Sequence, residues 1–301
     1  MVNDKTQRSI FLLLLFVVVL WGINVVMLKY LTRFFPPLAL VPIRLSLATA
    51  LLLPYILYKH GYVRPPAKTW PHILGVAVFS IFLHQITMTW GIANTSSTHA
   101  ALILGLNPLF TTILASMLIG EKFTLTKGFG ILLGFSGVLL VVAGKEPGSA
   151  TFIGDCVMFG ATLTAVIGSL FVKKSTAVLP PLVVTAYSHF FASVGLVITG
   201  LTVNSVWVYD GAFALGPISV ILFSSLVNTA LGALWWNTGI KQVGASTTSL
   251  FQNGIPVVGV FASAAFLGEI LNWTHVAALL LVLTGVSLGT GLIQLRILQK
   301  N

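Results

Sequence analysis

Side chains able to do chemistry are few among these 301 residues, and most stand inside long apolar runs. Trp21 and Asn24 are three apart, which on a helix places an indole plane and an amide on one face. They suit the wall of a pocket, or else Asn24 bonds across helices and Trp21 packs. Ser80, His84 and Thr87 share a face farther on, with Gln85 beside them. An imidazole, titrating near pH ~6.5 when unperturbed, is the nearest thing here to a proton-coupling group; the alternative is a neutral ring bonded to neighbouring backbone or hydroxyl. His189 is a weaker candidate of the same kind.

Asn107-Pro108 with Thr111, and Gln252 with Asn253 and Pro256, mark two further places. A proline within a helix removes one donor and frees the carbonyl four residues earlier, here Leu104 and Gln252. Pro108 and Pro256 are expected to be hinges or unwound points facing a cavity, or packing kinks satisfied by nearby hydroxyls. Asn228, Leu231, Gly232 and Trp235 fall on one face, with Trp236 next to it. Trp235 is the expected cavity residue of the two, leaving Trp236 as an interfacial anchor. Arg44 stands alone as a charge well inside an apolar run. Its stem can carry the guanidinium to the outer interface, to meet helix-end carbonyls or phosphate, or it is a counter-charge for a solute carboxylate. The expected solute contacts are therefore Trp21, Asn24, His84, Asn107, Asn228, Trp235 and Asn253.

These groups bind; they do not make a catalytic set. A hydrolase built on His84 or His189 needs a carboxylate at depth, yet Asp4, Glu121, Glu146, Asp155, Asp210 and Glu269 are all expected in loops. Glu121 and Glu269 read as loop or helix-cap groups. No metal-ligand spacing or phosphate-binding Gly-rich loop appears, and the lone Cys156 can form neither an internal disulfide nor a Cys-based metal site. No cofactor is expected. A formal charge of +10 raises nucleic acid as a partner, but the basic residues occur singly or in pairs between apolar runs, with no dense stripe, and none is expected.

The elements that position these residues are set by composition. The chain is 56% hydrophobic and 7% charged, against about 25% charged in a soluble domain, so most of its surface must face lipid. Runs long enough to span occur at 9–30, 36–59, 70–91, 97–119, 124–144, 152–173, 181–202, 215–239, 245–267 and 273–296. Hydrocarbon offers backbone groups no partner, so each run must be helical, giving an all-α integral membrane protein with ten transmembrane helices. Breakers separate them, among them Pro36-Pro37, Pro65-Pro66 and Pro180-Pro181. With the N-terminus in the cytoplasm, twelve basic residues fall inside and three outside, Lys29, Arg33 and Lys145, which favours both termini inside.

The chain also repeats. Residues 91–138 match 239–286 without a gap at an offset of 148, pairing Pro108 with Pro256, Gly120-Glu121 with Gly268-Glu269, and Gly137-Val138 with Gly285-Val286. Upstream, Lys29 and Pro36-Pro37-Leu38 meet Lys173 and Pro180-Pro181-Leu182 at an offset of 144. Two five-helix halves result, 9–144 and 152–296. Because five is odd, the second half runs through the membrane in the opposite sense, so a pseudo-two-fold axis in the membrane plane is expected. Such symmetry offers two near-equivalent packings, the mechanical basis of alternating access.

The run WGINVVMLKYL from Trp21, the run FPPLALVPIR ending in Arg44, and the paired endings LNPLFTTILASMLIGEKFTLTKGFGILLGFSGVLLV and NGIPVVGVFASAAFLGEILNWTHVAALLLVLTGVSL resemble the EamA-like members of the drug/metabolite transporter superfamily. The second half departs from the pattern: Ala165 and Val166 stand where Trp21 and Gly22 would repeat, and Ser188 where Arg44 would. The resemblance implies a secondary transporter of the inner membrane with a small-molecule substrate, often an exporter of amino acids or related metabolites. It also implies a cavity walled mainly by the first, third, fourth, sixth, eighth and ninth helices. The alternative is a carrier or flippase for a lipid-linked or nucleotide-linked group, whose mark would be a laterally open, strongly basic cavity.

Overall fold

The computed structural model describes residues 4–119, 124–143, 151–203 and 206–290. Within them every regular element is helical. We number the helices α1 (Asp4–Leu31), α2 (Pro37–His60), α3 (Ala67–Asn94), α4 (Ser97–Leu104 and Asn107–Ile119), α5 (Leu125–Val142), α6 (Phe152–Thr176), α7 (Pro181–Val203), α8 (Leu215–Val243), α9 (Ala245–Leu250, Phe251–Asn253 and Gly254–Leu267) and α10 (Trp273–Gly289). Among the described residues nine helices are long and apolar enough to cross a membrane, and α10 is a shorter apolar helix. Large apolar side chains such as Leu12, Phe16, Leu132, Leu139 and Leu201 point outward, which only a lipid surround makes favourable. The chain is a multi-pass membrane protein. The expected last run continues to residue 296, and its end lies outside the described residues, as does Glu121.

The helix ends obey the local sequence. Pro37 opens α2 at a position where a missing N–H costs nothing, and Gly61 closes it with φ 65°. Thr124 and Thr151 accept from the backbone N–H groups of Lys127 and Gly154 to start α5 and α6. Asn272 and His275 cap α10 reciprocally.

Four helices are irregular in mid-course. In α3 a π-helical stretch covers Val76–Leu83, and in α8 another covers Ser224–Leu231. The turn at Gly105-Leu106 divides α4 just before Asn107-Pro108, and the 3-10 turn Phe251–Asn253 interrupts α9 just before Pro256. Each proline thus sits at the start of a new helical piece, where its missing donor is harmless.

The packing partners are α2 with α7, α5 with α10, α4 with α9, α1 with α8 and α9, and α6 with α3 and α4. At the α5–α10 crossing the backbones touch. A Cβ on Gly130 would strike the backbone of Gly289, and one on Gly285 the backbone of Gly134. Two G-x-x-x-G pairs therefore seat one helix against the other, the usual device where lipid supplies no hydrophobic drive between helices.

Candidate functional site

A cavity of about 160 Å³ lies between the helices, a size that in an apolar protein core accommodates a ring-sized molecule. Its wall is drawn mainly from α1, α3, α4, α6, α8 and α9, with Arg44 from α2 and His189 from α7. It extends to Ala245, the first residue of α9. That end lies beside the start of α1, where the rings of Phe11 and Phe251 are 5.3 Å apart.

Of the residues expected from the sequence, Trp21, Asn24, His84, Asn107 and Asn228 line this cavity. Trp235 does not. Its ring lies 5.8 Å from that of Phe16, and Trp236 takes the wall position with its ring 4.9 Å from Trp21. The expectation counted α-helical spacing from Asn228, but the π-helical stretch inserts extra backbone and rotates the rest of α8 by about one residue. Asn253 also stands outside the wall, in the 3-10 turn, while Gln252 lines it. Leu104 and Gln252, the residues four before the two prolines, both reach the cavity.

Arg44 is fully buried and does not reach an interface, as its long stem had suggested it would. Packing against α7 and α8 surrounds its face of α2, so the guanidinium ends in the wall. There it donates from Nε to Ser224 Oγ (3.0 Å), from Nη1 to Gln85 Oε1 (3.3 Å) and from Nη2 to Thr229 Oγ1 (2.8 Å). Ser224 donates to Asn24 Oδ1 at 2.7 Å and Thr229 to the Ser224 carbonyl at 2.9 Å. Ser224 and Thr229 both belong to the π-helical stretch, whose loosened backbone needs such partners. Trp21 Nε1 donates to the Asn228 carbonyl (3.1 Å), an approach that Gly232 leaves room for.

His84 donates from Nδ1 to the Ala161 carbonyl (2.8 Å), and His189 from Nδ1 to the Thr185 carbonyl (2.8 Å). Both rings are anchored and both line the cavity, including His189, which the sequence left doubtful. The sequence gives no sign of Ser224, Thr229 and Gln85 as contacts, because nothing in it pairs them with Arg44 across helices.

The opposite end is shut by a polar cluster on the α3–α4 turn. Lys29 Nζ, at the end of α1, donates to the carbonyls of Ile92 (3.1 Å), Ala93 (3.2 Å) and Thr95 (2.5 Å). Glu269 accepts from the backbone N–H and hydroxyl of Ser97 (2.9 and 2.5 Å) and of Thr98 (3.0 and 2.6 Å). It is thus the helix-cap group expected, on the N-terminus of α4. Asp155 was expected in a loop but is buried in the first turn of α6, accepting from Thr95 Oγ1 at 2.5 Å and facing His99 Nδ1 at 3.2 Å. It remains apart from the cavity wall, so among the described residues no carboxylate joins the two cavity histidines.

Among the described residues no group of three or more His, Cys, Asp or Glu could hold a metal ion. Residues 8–143 and 152–290 each match the model of the EamA-like transporter family. The uncharacterized transporter YyaM of Bacillus subtilis (strain 168) is 32% identical over 95% of each chain. A protein of Streptantibioticus cattleyicolor named "Probable terminal-alkyne amino-acid exporter" is 24% identical over 70% of this chain and 69% of its own. One solved crystal structure has the same fold, with a TM-score of 0.69 at 18% identity over 95% of this chain and 99% of that one. The chain belongs to the EamA-like transporter family.

Proposed function

We propose that the protein is a secondary carrier that moves a small metabolite, an amino acid or a related compound, outward across the inner membrane by alternating access. It does so as ten spans arranged as two inverted five-helix halves, 9–144 and 152–296, with both termini in the cytoplasm. The observation that carries this reading is a cavity with polar side chains set in its wall that extends to one end of the helix bundle while the other end is closed by side chains from both halves.

The pairing of helices supports the inversion. Adding five to each number turns the α3–α6 pair into α8–α1 and the α4–α6 pair into α9–α1, while α2–α7, α4–α9 and α5–α10 map onto themselves. The π-helical stretches obey the same rule: Val76–Leu83 and Ser224–Leu231 lie 148 positions apart, the offset of the sequence repeat. A bundle so built has a second packing in which the closed and open ends exchange. On the basic-residue count, the α3–α4 end faces outward and the cavity now faces the cytoplasm. Outward movement of an amino acid is supported by the name of the Streptantibioticus relative. That the sequence shows no phosphate-binding Gly-rich loop argues against direct ATP drive and favours coupled or passive transport.

Counterflow tests this. Proteoliposomes preloaded with each of a panel of unlabelled amino acids are expected to accumulate the labelled form of at least one, saturably and faster than unloaded ones. Uptake that stays linear with concentration and indifferent to preloading, for amino acids and other metabolites alike, overturns the carrier.

A further inference from the structure

We propose that the cavity recognises a carboxylate on its solute, with Arg44, Asn24 and Gln85 as the donors. This rests on the carrier reading for its setting and deepens it by naming what the solute must carry.

Arginine has N–H donors and no acceptor, so the direction of every bond around Arg44 is fixed. Ser224 Oγ accepts from Nε, and its own proton goes to Asn24 Oδ1. Gln85 Oε1 accepts from Nη1. Thr229 Oγ1 accepts from Nη2 and passes its proton to a backbone carbonyl. The network consumes both amide oxygens and turns both hydroxyl protons away. What remains unspent on these wall residues is Asn24 Nδ2, Gln85 Nε2 and the guanidinium N–H groups beyond the three bonds, all of them donors. Neither amide nitrogen has a hydrogen bond to any described residue, and neither is sealed off.

Charge agrees with geometry. Arg44 is fully buried, and among the described residues no Asp or Glu lines the cavity. A buried cation without a counter-anion is costly. A carboxylate placed on these donors forms charge-assisted bonds and offsets that cost. Elsewhere on the wall, Asn107 Oδ1 and Asn228 Oδ1 are buried acceptors with no partner. They suit an ammonium or amide N–H, which an amino acid supplies and a simple organic acid does not.

The test is the unfolding midpoint of the purified full chain in lipid nanodiscs, titrated with three panels: amino acids, mono- and dicarboxylic acids, and the corresponding amino-acid amides. At least one carboxylate is expected to raise the midpoint saturably while its amide does not; which panel it comes from separates amino acids from organic acids. Gln85→Glu seats a carboxylate on Arg44 from within the wall. It is expected to weaken binding of that compound about tenfold or more, with its own midpoint held or raised, and Arg44→Lys to weaken it with loss of the fork. The proposal is overturned if no carboxylate binds, if amides bind as well as acids, or if Gln85→Glu leaves carboxylate affinity unchanged. Carboxylate binding without counterflow would leave recognition standing and remove the carrier. Counterflow of a neutral or cationic solute, undiminished in Gln85→Glu, would do the reverse.

Discussion

Trp236 presents its indole to the cavity because of a fraction of a turn of backbone in the residues before it. Counted at 3.6 residues per turn from Asn228, Trp235 belongs on the wall; the π-helical stretch Ser224–Leu231 moves that place to its neighbour. The stretch is held by side chains that no local pattern reveals: Thr229 bonds back to the Ser224 carbonyl, and Arg44 from α2 grips both residues. The two tryptophans therefore separate in a binding assay. Trp236→Ala is expected to raise the half-saturation concentration of the transported solute about tenfold, the loss of one aromatic face. Trp235→Ala, which removes packing against Phe16 and the core outside the cavity wall, is expected to leave it within about twofold. Equal effects in counterflow would show that the wall has been misassigned.

At the scale of the element, the N-terminus of α4 carries the closure. Its first amides and hydroxyls converge on Glu269, two residues beyond the end of α9, so a carboxylate sits where the helix dipole and unpaired N–H groups favour one. Burial alone would push this carboxyl up, but the bonds from Ser97 and Thr98 outweigh it and hold it below the ordinary 4.5. The folded value being lower than the unfolded one, Glu269 stabilises fully above about pH 4.5 and loses that contribution only as pH falls through the folded value. Glu269→Ala is therefore expected to lower the unfolding midpoint by a few degrees, by an amount constant from about pH 6 to 8 and vanishing in acid, the cap being worth ~1–2 kcal/mol. A deficit that grew across that neutral range would contradict the assignment. That Glu269 is a loop or helix-cap group was legible from its place in the short connection after α9. Which helix it caps was not, because the contact joins residues 172 apart.

The helices themselves were the most legible part of the molecule, since apolar runs bounded by Pro and Gly leave the backbone one choice in lipid. The interruptions of α4 and α9 were marked by Pro108 and Pro256, whereas the π-helical stretches in α3 and α8 carry no proline and surfaced only as a matched pair in the structure. The α5–α10 seam is built on glycines four apart, Gly130 with Gly134 and Gly285 with Gly289, a pairing that only the packing reveals. Gly285→Leu is expected to abolish stable folding, because its side chain meets the backbone of Gly134 with no room to relax. Recovery of the variant at wild-type yield and midpoint would refute that packing.

The whole molecule is asked to exchange its two ends, and the closed end can be locked to find out whether it does. Ser97 on α4 and Glu269 beyond α9 come from different halves of the chain and touch directly. In a background where exposed Cys156 is replaced by Ser, the pair Ser97→Cys with Glu269→Cys can be bridged by a short bifunctional thiol reagent. If transport requires this end to open, bridging is expected to abolish counterflow while leaving solute binding from the α8–α9 end intact, and cleavage of the bridge to restore exchange. Each single cysteine variant given the same reagent is the control for lost capping. Counterflow that persists at full rate with the pair quantitatively bridged would mean that solute does not pass between α4 and the α9–α10 connection. The cavity would then have to release its occupant by another route.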